Sequence, residues 1–374
     1  MQSFASDGTK PFASDGMKSF ARKYFAFMAY QTTLAPETGG TPLRKRIERS
    51  AGRMLIRLFV GPIRALPLPI ARTFGVGLAW IAFRILGRYR RVARKNLALV
   101  YPEKSIAERE QMARAVFRHF GRMAGEFIKM PRLGKAEVER MAVVIGEENL
   151  QQALAMGKGV LLITGHFGNW EFMARWLSSH GYPINVVARD ARDPAATKLL
   201  TDTRESNGAQ VLYRGNSARA VLQCLKKNEI VALLPDQNAA DVFVPFLGQR
   251  TGTVDGPAII HLKMGAPLLF SFCTRLPDNR FQITFEPPEV VLSTGQKIAD
   301  VERTMTLVNA RLETQIRRNP TQWLWLHDRW KASPGVFPDG GLQAEDLRAS
   351  PAKLREELRR RQSAPQPEET EARP

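Results

Sequence analysis

The chain contains two cysteines and five histidines in 374 residues. Cys224 and Cys273 stand in apolar surroundings without CxxC or metal-ligand spacing, so they read as buried thiols of a reducing compartment rather than as a disulfide or zinc framework. No GxSxG elbow occurs, which removes the usual enzyme-borne serine nucleophile. The N-terminus lacks an uninterrupted apolar core followed by a cleavage site, which argues against secretion. Acids are also scarce in one region: from Arg44 to Lys95 fourteen Lys or Arg face the single acid Glu48.

That local excess accounts for most of the formal charge of +19 and calls for an anionic partner. Nucleic acid would require interleaved aromatics or a recognition module, and neither is present, so no nucleic acid is expected. The basic region is also apolar. Ile47, Ala51, Met54, Leu55, Leu58 and Phe59 recur at helical spacing opposite Arg46, Arg49, Arg53 and Arg57, a pattern that suits the interface of an anionic membrane and equally an ordinary core helix with a basic outer face. The run "ALPLPIARTFGVGLAWIAF" over 65–83 is almost long enough to span a bilayer, but Arg72 and two prolines interrupt it, which favours a surface-bound or partly inserted segment.

The chain divides into four parts. Residues 1–43 hold the near-repeat "FASDGTKP", "FASDGMKS" and read as a disordered leader or a misassigned start, with Met17, Met28 and Met54 as later starts. Residues 44–150 read as the helical, basic, membrane-associated region; Ser105 with Glu108 forms a capping-box pattern ahead of one of its helices. Residues 151–335 form an α/β core, and 336–374 a charged, disordered tail. In the core, "VLLIT", "INVVAR", "VLYR", "EIVALLPD" and "PLLFSFCTR" alternate with helical stretches, which predicts a mixed, largely parallel sheet flanked by helices, with ligands beyond the strand C-termini. His166, Arg189 and Asp236 each end one of these strands and should face one crevice.

His166 sits in "GVLLITGHFGNWEF", five residues before Glu171. A turn there can bring the carboxylate against the imidazole, giving a dyad able to act as general base. A helix cap or a packed polar residue explains the same pattern by spacing alone. With no enzyme nucleophile at hand, the hydroxyl would be the substrate's, and backbone N–H groups of Gly168 and Asn169 could meet the oxyanion. No second histidine or cysteine lies at zinc-ligand spacing.

The stretch resembles the bacterial lipid A biosynthesis acyltransferases of the lysophospholipid acyltransferase superfamily, whose hallmark is a histidine followed by an acid. Blocks at 90–110, 232–270 and 319–331 agree in order, so the resemblance spans roughly 44–335. It implies a glycerolipid-acyltransferase-like fold, with His166 as base and Glu171 as its acidic partner. It further implies that Arg189 steadies an anionic substrate group or the developing charge, that Asp236 is the aspartate of the family's "PD" block, that Phe246, Gly248 and Thr253 line a channel or pack, and that Trp325 and His327 are structural; Asp236, Asn169 and Arg329, the last able to hold a carboxylate or a phosphate, are taken with Arg189 as substrate-binding residues. The implied reaction moves an acyl chain from an acyl carrier protein thioester, or coenzyme A, to a glycolipid hydroxyl without metal or cofactor. Its implied place is the cytoplasmic face of a bacterial inner membrane. Two departures stand out: a repetitive leader and a basic amphipathic region stand in place of a clearer hydrophobic anchor, and "DQN" differs from the "DHD" or "DQ" variants of some members.

Overall fold

The computed structural model describes residues 61, 63–188, 194–213, 217–333, 335 and 336. The leader, the basic helix expected over 47–59, Arg189 and nearly all of the tail lie outside the described residues.

Helix α1 (Leu68–Ile85) starts directly after Pro67 and carries Pro69 in its first turn, where the missing N–H forfeits no helical hydrogen bond. The prolines expected to interrupt the apolar run therefore mark its beginning. Arg72 does not break the helix either, because Glu126 meets its guanidinium at 2.6 Å. By length and composition α1 is long and apolar enough to cross a membrane, and 33% of its apolar window is buried inside the protein. After α2 (Gly87–Val100) comes α3 (Ile106–Lys129), opened by the expected capping box: Ser105 Oγ accepts from Glu108 N–H at 3.2 Å, and the Glu108 carboxylate accepts from Ser105 N–H at 2.8 Å. Helices α1 and α3 touch backbone to backbone. Gly75 packs on Gly121, and Gly125 on Ala71, with no room for an added Cβ at any of the three glycines.

Helix α4 (Lys135–Met141), strand β1 (Ala142–Ile145) and helix α5 (Glu147–Ala155) lead into the core. Its strands are β2 (Val160–Ile163), β3 (Ile184–Ala188), β4 (Gln210–Tyr213), β5 (Ile230–Leu233), β8 (Leu268–Arg275) and β9 (Phe281–Phe285), with a separate hairpin of β6 (Val242–Phe246) and β7 (Gln249–Thr253). The seven-stranded sheet runs in the order β1-β9-β8-β2-β5-β3-β4 and is parallel except at β8–β9. The expected mixed, mostly parallel sheet flanked by helices is thus present. Strands β2, β3, β4, β5 and β8 fall on the five apolar runs; β1, in a stretch expected to be wholly helical, and β6, β7 and β9 were not foreseen. All four residues of β2 are buried, as a strand covered on both faces requires.

Chain direction sets the geometry of the site. Helix α6 (Trp170–Ser179) carries the chain outward from β2 to β3, and α7 (Pro194–Ser206) outward again to β4; α8 (Ser217–Lys226) returns it to β5, and α9 (Gly256–Met264) onward to β8. Right-handed crossovers moving in opposite directions must lie on opposite faces. The core accordingly has two apolar layers, one holding Met173 and Leu177 of α6, the other Val221 and Leu225 of α8 with α10 (Lys297–Arg318). Neighbouring strands β2 and β5 send their chains away on opposite faces, which opens a crevice beyond their C-terminal ends.

Candidate active site

His166 follows β2 and Asp236 follows β5, so strand adjacency alone brings them to this crevice. The loop between β2 and α6 is tight. Gly168 has φ +60°, and a Cβ there would collide with the Cys273 carbonyl, so only glycine fits. Asn169 caps α6 by accepting from Phe172 N–H at 3.0 Å.

The imidazole of His166 is almost fully buried, and its Nδ1 lies 2.7 Å from Asp236 Oδ1. Asp236 Oδ2 accepts from the backbone N–H of the same histidine at 2.7 Å and from Trp323 Nε1 at 2.8 Å. Burial would raise the Asp236 pKa, but the opposite charge of His166 and these donors outweigh it and pull the pKa down to about 2. An ionised carboxylate accepts the Nδ1 proton, which leaves the Nε2 lone pair as the acceptor. The side-chain amide of Gln237 stands 3.3 Å from that Nε2.

Glu171 lines the same cavity but takes a different partner from the one expected. Its carboxylate receives Arg204 of α7 at 2.5 and 3.1 Å and Trp170 Nε1 at 3.1 Å, so the acid bonded to His166 is Asp236. The reason is the helix: Glu171 is already the second residue of α6, and its side chain follows the helix surface toward α7. Burial would lower the Arg204 pKa, but Glu171 overrides it and raises it.

The other expected site residues are placed as follows. Asn169 is buried behind the loop, its amide donating to Glu126 at 2.8 Å. The N–H groups of Gly168 and Asn169 donate to the carbonyls of Gln322 and Cys273 at 2.9 and 2.8 Å, so they are committed to the protein and not to an oxyanion. Arg329 is wholly buried under the β6–β7 hairpin, donating to Gly252 O and, at 2.8 Å, to Thr253 Oγ1, with Phe246 beneath it; it does not line the cavity. Burial lowers its pKa to about 9, with Asp236 as the opposing charge. Phe246 and Thr253 are likewise buried in packing, and Gly248 sits in the hairpin turn with φ +81°. Trp325 is core, and His327 accepts from Asn238 N–H at 3.0 Å. Arg189 lies outside the described residues, just past Ala188, which lines the cavity. Arg204, Gln237 and Trp323 were not foreseen; Trp323 stands in a block read as structural, and nothing in the spacing of Arg204 marks it.

The cavity measures about 290 Å³. Its polar lining comes from Thr164, His166, Trp170, Glu171, Arg204, Gln237 and Asn238, and the remaining walls are mostly apolar. An imidazole held by a carboxylate in the wall of a mostly apolar cavity can deprotonate a hydroxyl carried on a long hydrocarbon. Among the described residues no group of three His, Cys, Asp or Glu could hold a metal ion.

Comparison with known proteins gives a family of acyltransferases. Residues 43–332 match the family model described as bacterial lipid A biosynthesis acyltransferase. The chain is 30% identical over 278 residues to a lipid A biosynthesis lauroyltransferase of Escherichia coli K12, covering 73% of this chain and 89% of that protein. It is 28% identical over 273 residues to the palmitoleoyltransferase of the same organism, covering 72% and 87%. It is also 28% identical over 282 residues to a phosphatidylinositol mannoside acyltransferase of Mycobacterium tuberculosis, covering 72% and 85%.

Proposed function

The chain belongs to the bacterial lipid A biosynthesis acyltransferase family, and from that premise we propose that this acyltransferase moves a fatty acyl chain from an acyl carrier protein thioester to a hydroxyl of a lipid A precursor. The observation that carries the reading is the His166–Asp236 pair, whose imidazole lines the cavity. Nε2 of His166 takes the hydroxyl proton while the alkoxide oxygen bonds to the thioester carbonyl carbon. The resulting oxyanion collapses, the carbon–sulfur bond breaks, and the departing sulfur recovers the proton from Nε2. An ester and a free carrier thiol are the products. Asp236 holds Nδ1–H and balances the imidazolium that forms between the two steps.

Glu171 is the second acid of this site. Locked to Arg204, it fixes a polar part of the cavity wall and keeps that buried cation paired. The Gln237 amide, beside Nε2, is the donor best placed for the developing oxyanion. Arg189, one residue beyond the cavity wall, binds an anionic substrate group.

The enzyme works on the cytoplasmic face of a bacterial inner membrane. The length of α1 supports this, as does its outer stripe, where Ile70 is 51% and Trp80 58% exposed. The excess of basic residues supports both an anionic surface and an acidic carrier. A mannosylated glycolipid acceptor is the second reading, favoured by the mannoside acyltransferase relative.

The deciding experiment incubates purified protein with acyl carrier protein thioesters and a panel of lipid A precursors and mannosylated glycolipids, following ester product by mass spectrometry. The expected result is a new ester with wild type and a loss of about a thousandfold or more with His166→Ala. Near-normal turnover by that variant removes His166 from the chemistry.

A further inference from the structure

The cavity draws its walls from both faces of the sheet. Val186 and Val187 are consecutive in β3, Ala232 and Leu233 are consecutive in β5, and all four line it. Successive strand side chains point to opposite faces, so one member of each pair belongs to each apolar layer. Val186 and Ala232 join Leu162, Met173 and Leu177 under α6. Val187 and Leu233 join Val221 and Ile260 under α8 and α9. The cause is the crossover reversal between β2 and β5: the helices leave on opposite faces, and the crevice between them reaches into both layers. His166 and Glu171 line the same cavity.

Resting on the acyl-transfer reading above, we propose that the cavity has two apolar arms which hold two hydrocarbon chains at once, the donor's acyl chain under α6 and the acceptor's own acyl chain under α8 and α9. The arms differ in closure. Leu162, Met173, Leu177 and Ala232 are buried and Ala174 and Val186 half-buried, so the α6 arm is the more enclosed, whereas Val187, Leu233 and Ile260 are half-buried and Ala218 is exposed, which leaves the other arm more open although Val221 is buried. A chain delivered by a soluble carrier must leave water completely, which the more enclosed arm favours. A chain anchored in a bilayer must slide in sideways, which the open arm provides. Each methylene buried in either arm should alter affinity about fourfold.

The experiment uses full-length enzyme, carrier thioesters of eight to sixteen carbons, and glycolipid acceptors differing only in the length of the acyl chain they already carry. Ala174, a small residue of α6 in the cavity wall, and Ile260 of α9 mark the two arms. Ala174→Phe should move the donor optimum shorter by two or more carbons and leave the acceptor optimum in place. Ile260→Trp should raise KM for the longer acceptors at least about fivefold and leave the donor optimum in place. As a check independent of these variants, a twelve-carbon thioether of the carrier should inhibit wild type competitively against donor and noncompetitively against acceptor. Competition of the thioether with both substrates, or both variants shifting the same substrate, overturns the two-arm assignment while leaving acyl transfer intact. Absence of any ester from the wild-type panel overturns the acyl-transfer reading itself.

Discussion

Asp236 grips His166 twice, through Nδ1 at 2.7 Å and through the backbone N–H at 2.7 Å, so the carboxylate fixes both the ring and the peptide that carries it. Trp323 adds a third donor from a segment near the chain's end, and Phe167 bridges to Trp323 in a strand-like contact. The imidazole is therefore positioned from β5 and from the closing aromatic block, although its own loop arises from β2.

Replacing Asp236 with Asn keeps the shape but offers a neutral group that can present either amide end to Nδ1. The turnover number should fall about a hundredfold to ten-thousandfold with the donor KM within about threefold of wild type. A steady-state assay of acyl transfer checks this, and a loss seen mainly in KM contradicts it.

The same carboxyl links stability to acidity. Its pKa falls from 3.8 to about 2 on folding, so the ionised form is favoured in the native state. That stability, about 2 kcal/mol, is fully present above pH 4 and drains away between pH 4 and pH 2. Thermal melts of wild type and Asp236→Asn across that window should converge at the acid end, and a constant gap between them would sink the linkage.

Glu171 and Arg204 are both nearly buried and satisfy each other. Glu171→Gln should strand the guanidinium and cost about 3–5 kcal/mol in denaturant melts. Pairing Glu171→Leu with Arg204→Met removes both charges together and should cost less than either single change. A strictly additive double mutant would show that the pair is not coupled.

Gly168→Ala forces a left-handed residue against the Cys273 carbonyl. The expected cost is about 2 kcal/mol or more, with activity lost because the loop that carries His166 must move. Melting and acyl-transfer assays on the same preparation test both parts.

Much of this arrangement is legible in residue order, and the gaps have physical causes. The five apolar runs that became β2, β3, β4, β5 and β8 are bounded by turns, and those of β2, β5 and β8 are apolar almost without a break, which is the pattern of strands buried on both faces. Strand β1 was hidden because "AVVI" directly follows the helical α4 and its sides are only partly buried. The hairpin β6–β7 carries Pro245 and Gly252, residues that weaken a strand signal. His166 and Asp236 were both expected at the crevice from their strand ends. Which acid would reach the ring depended on β2 lying next to β5, a pairing across some seventy positions that local spacing does not encode.

The small-residue crossing of α1 and α3 reaches further than its size suggests. Arg72 of α1 and Arg275 of β8 both close on Glu126 of α3, and the same carboxylate holds the Asn169 amide that caps α6. Burial would raise the Glu126 pKa, but the two guanidiniums reverse this and keep it anionic. With the glycine backbones of α1 and α3 already touching, α1 and the histidine loop form one stiff strut. Tilting one without the other would require a charged knot to untie in the dry interior, so under the membrane placement proposed above the depth of α1 would also set the height at which Nε2 of His166 meets lipid.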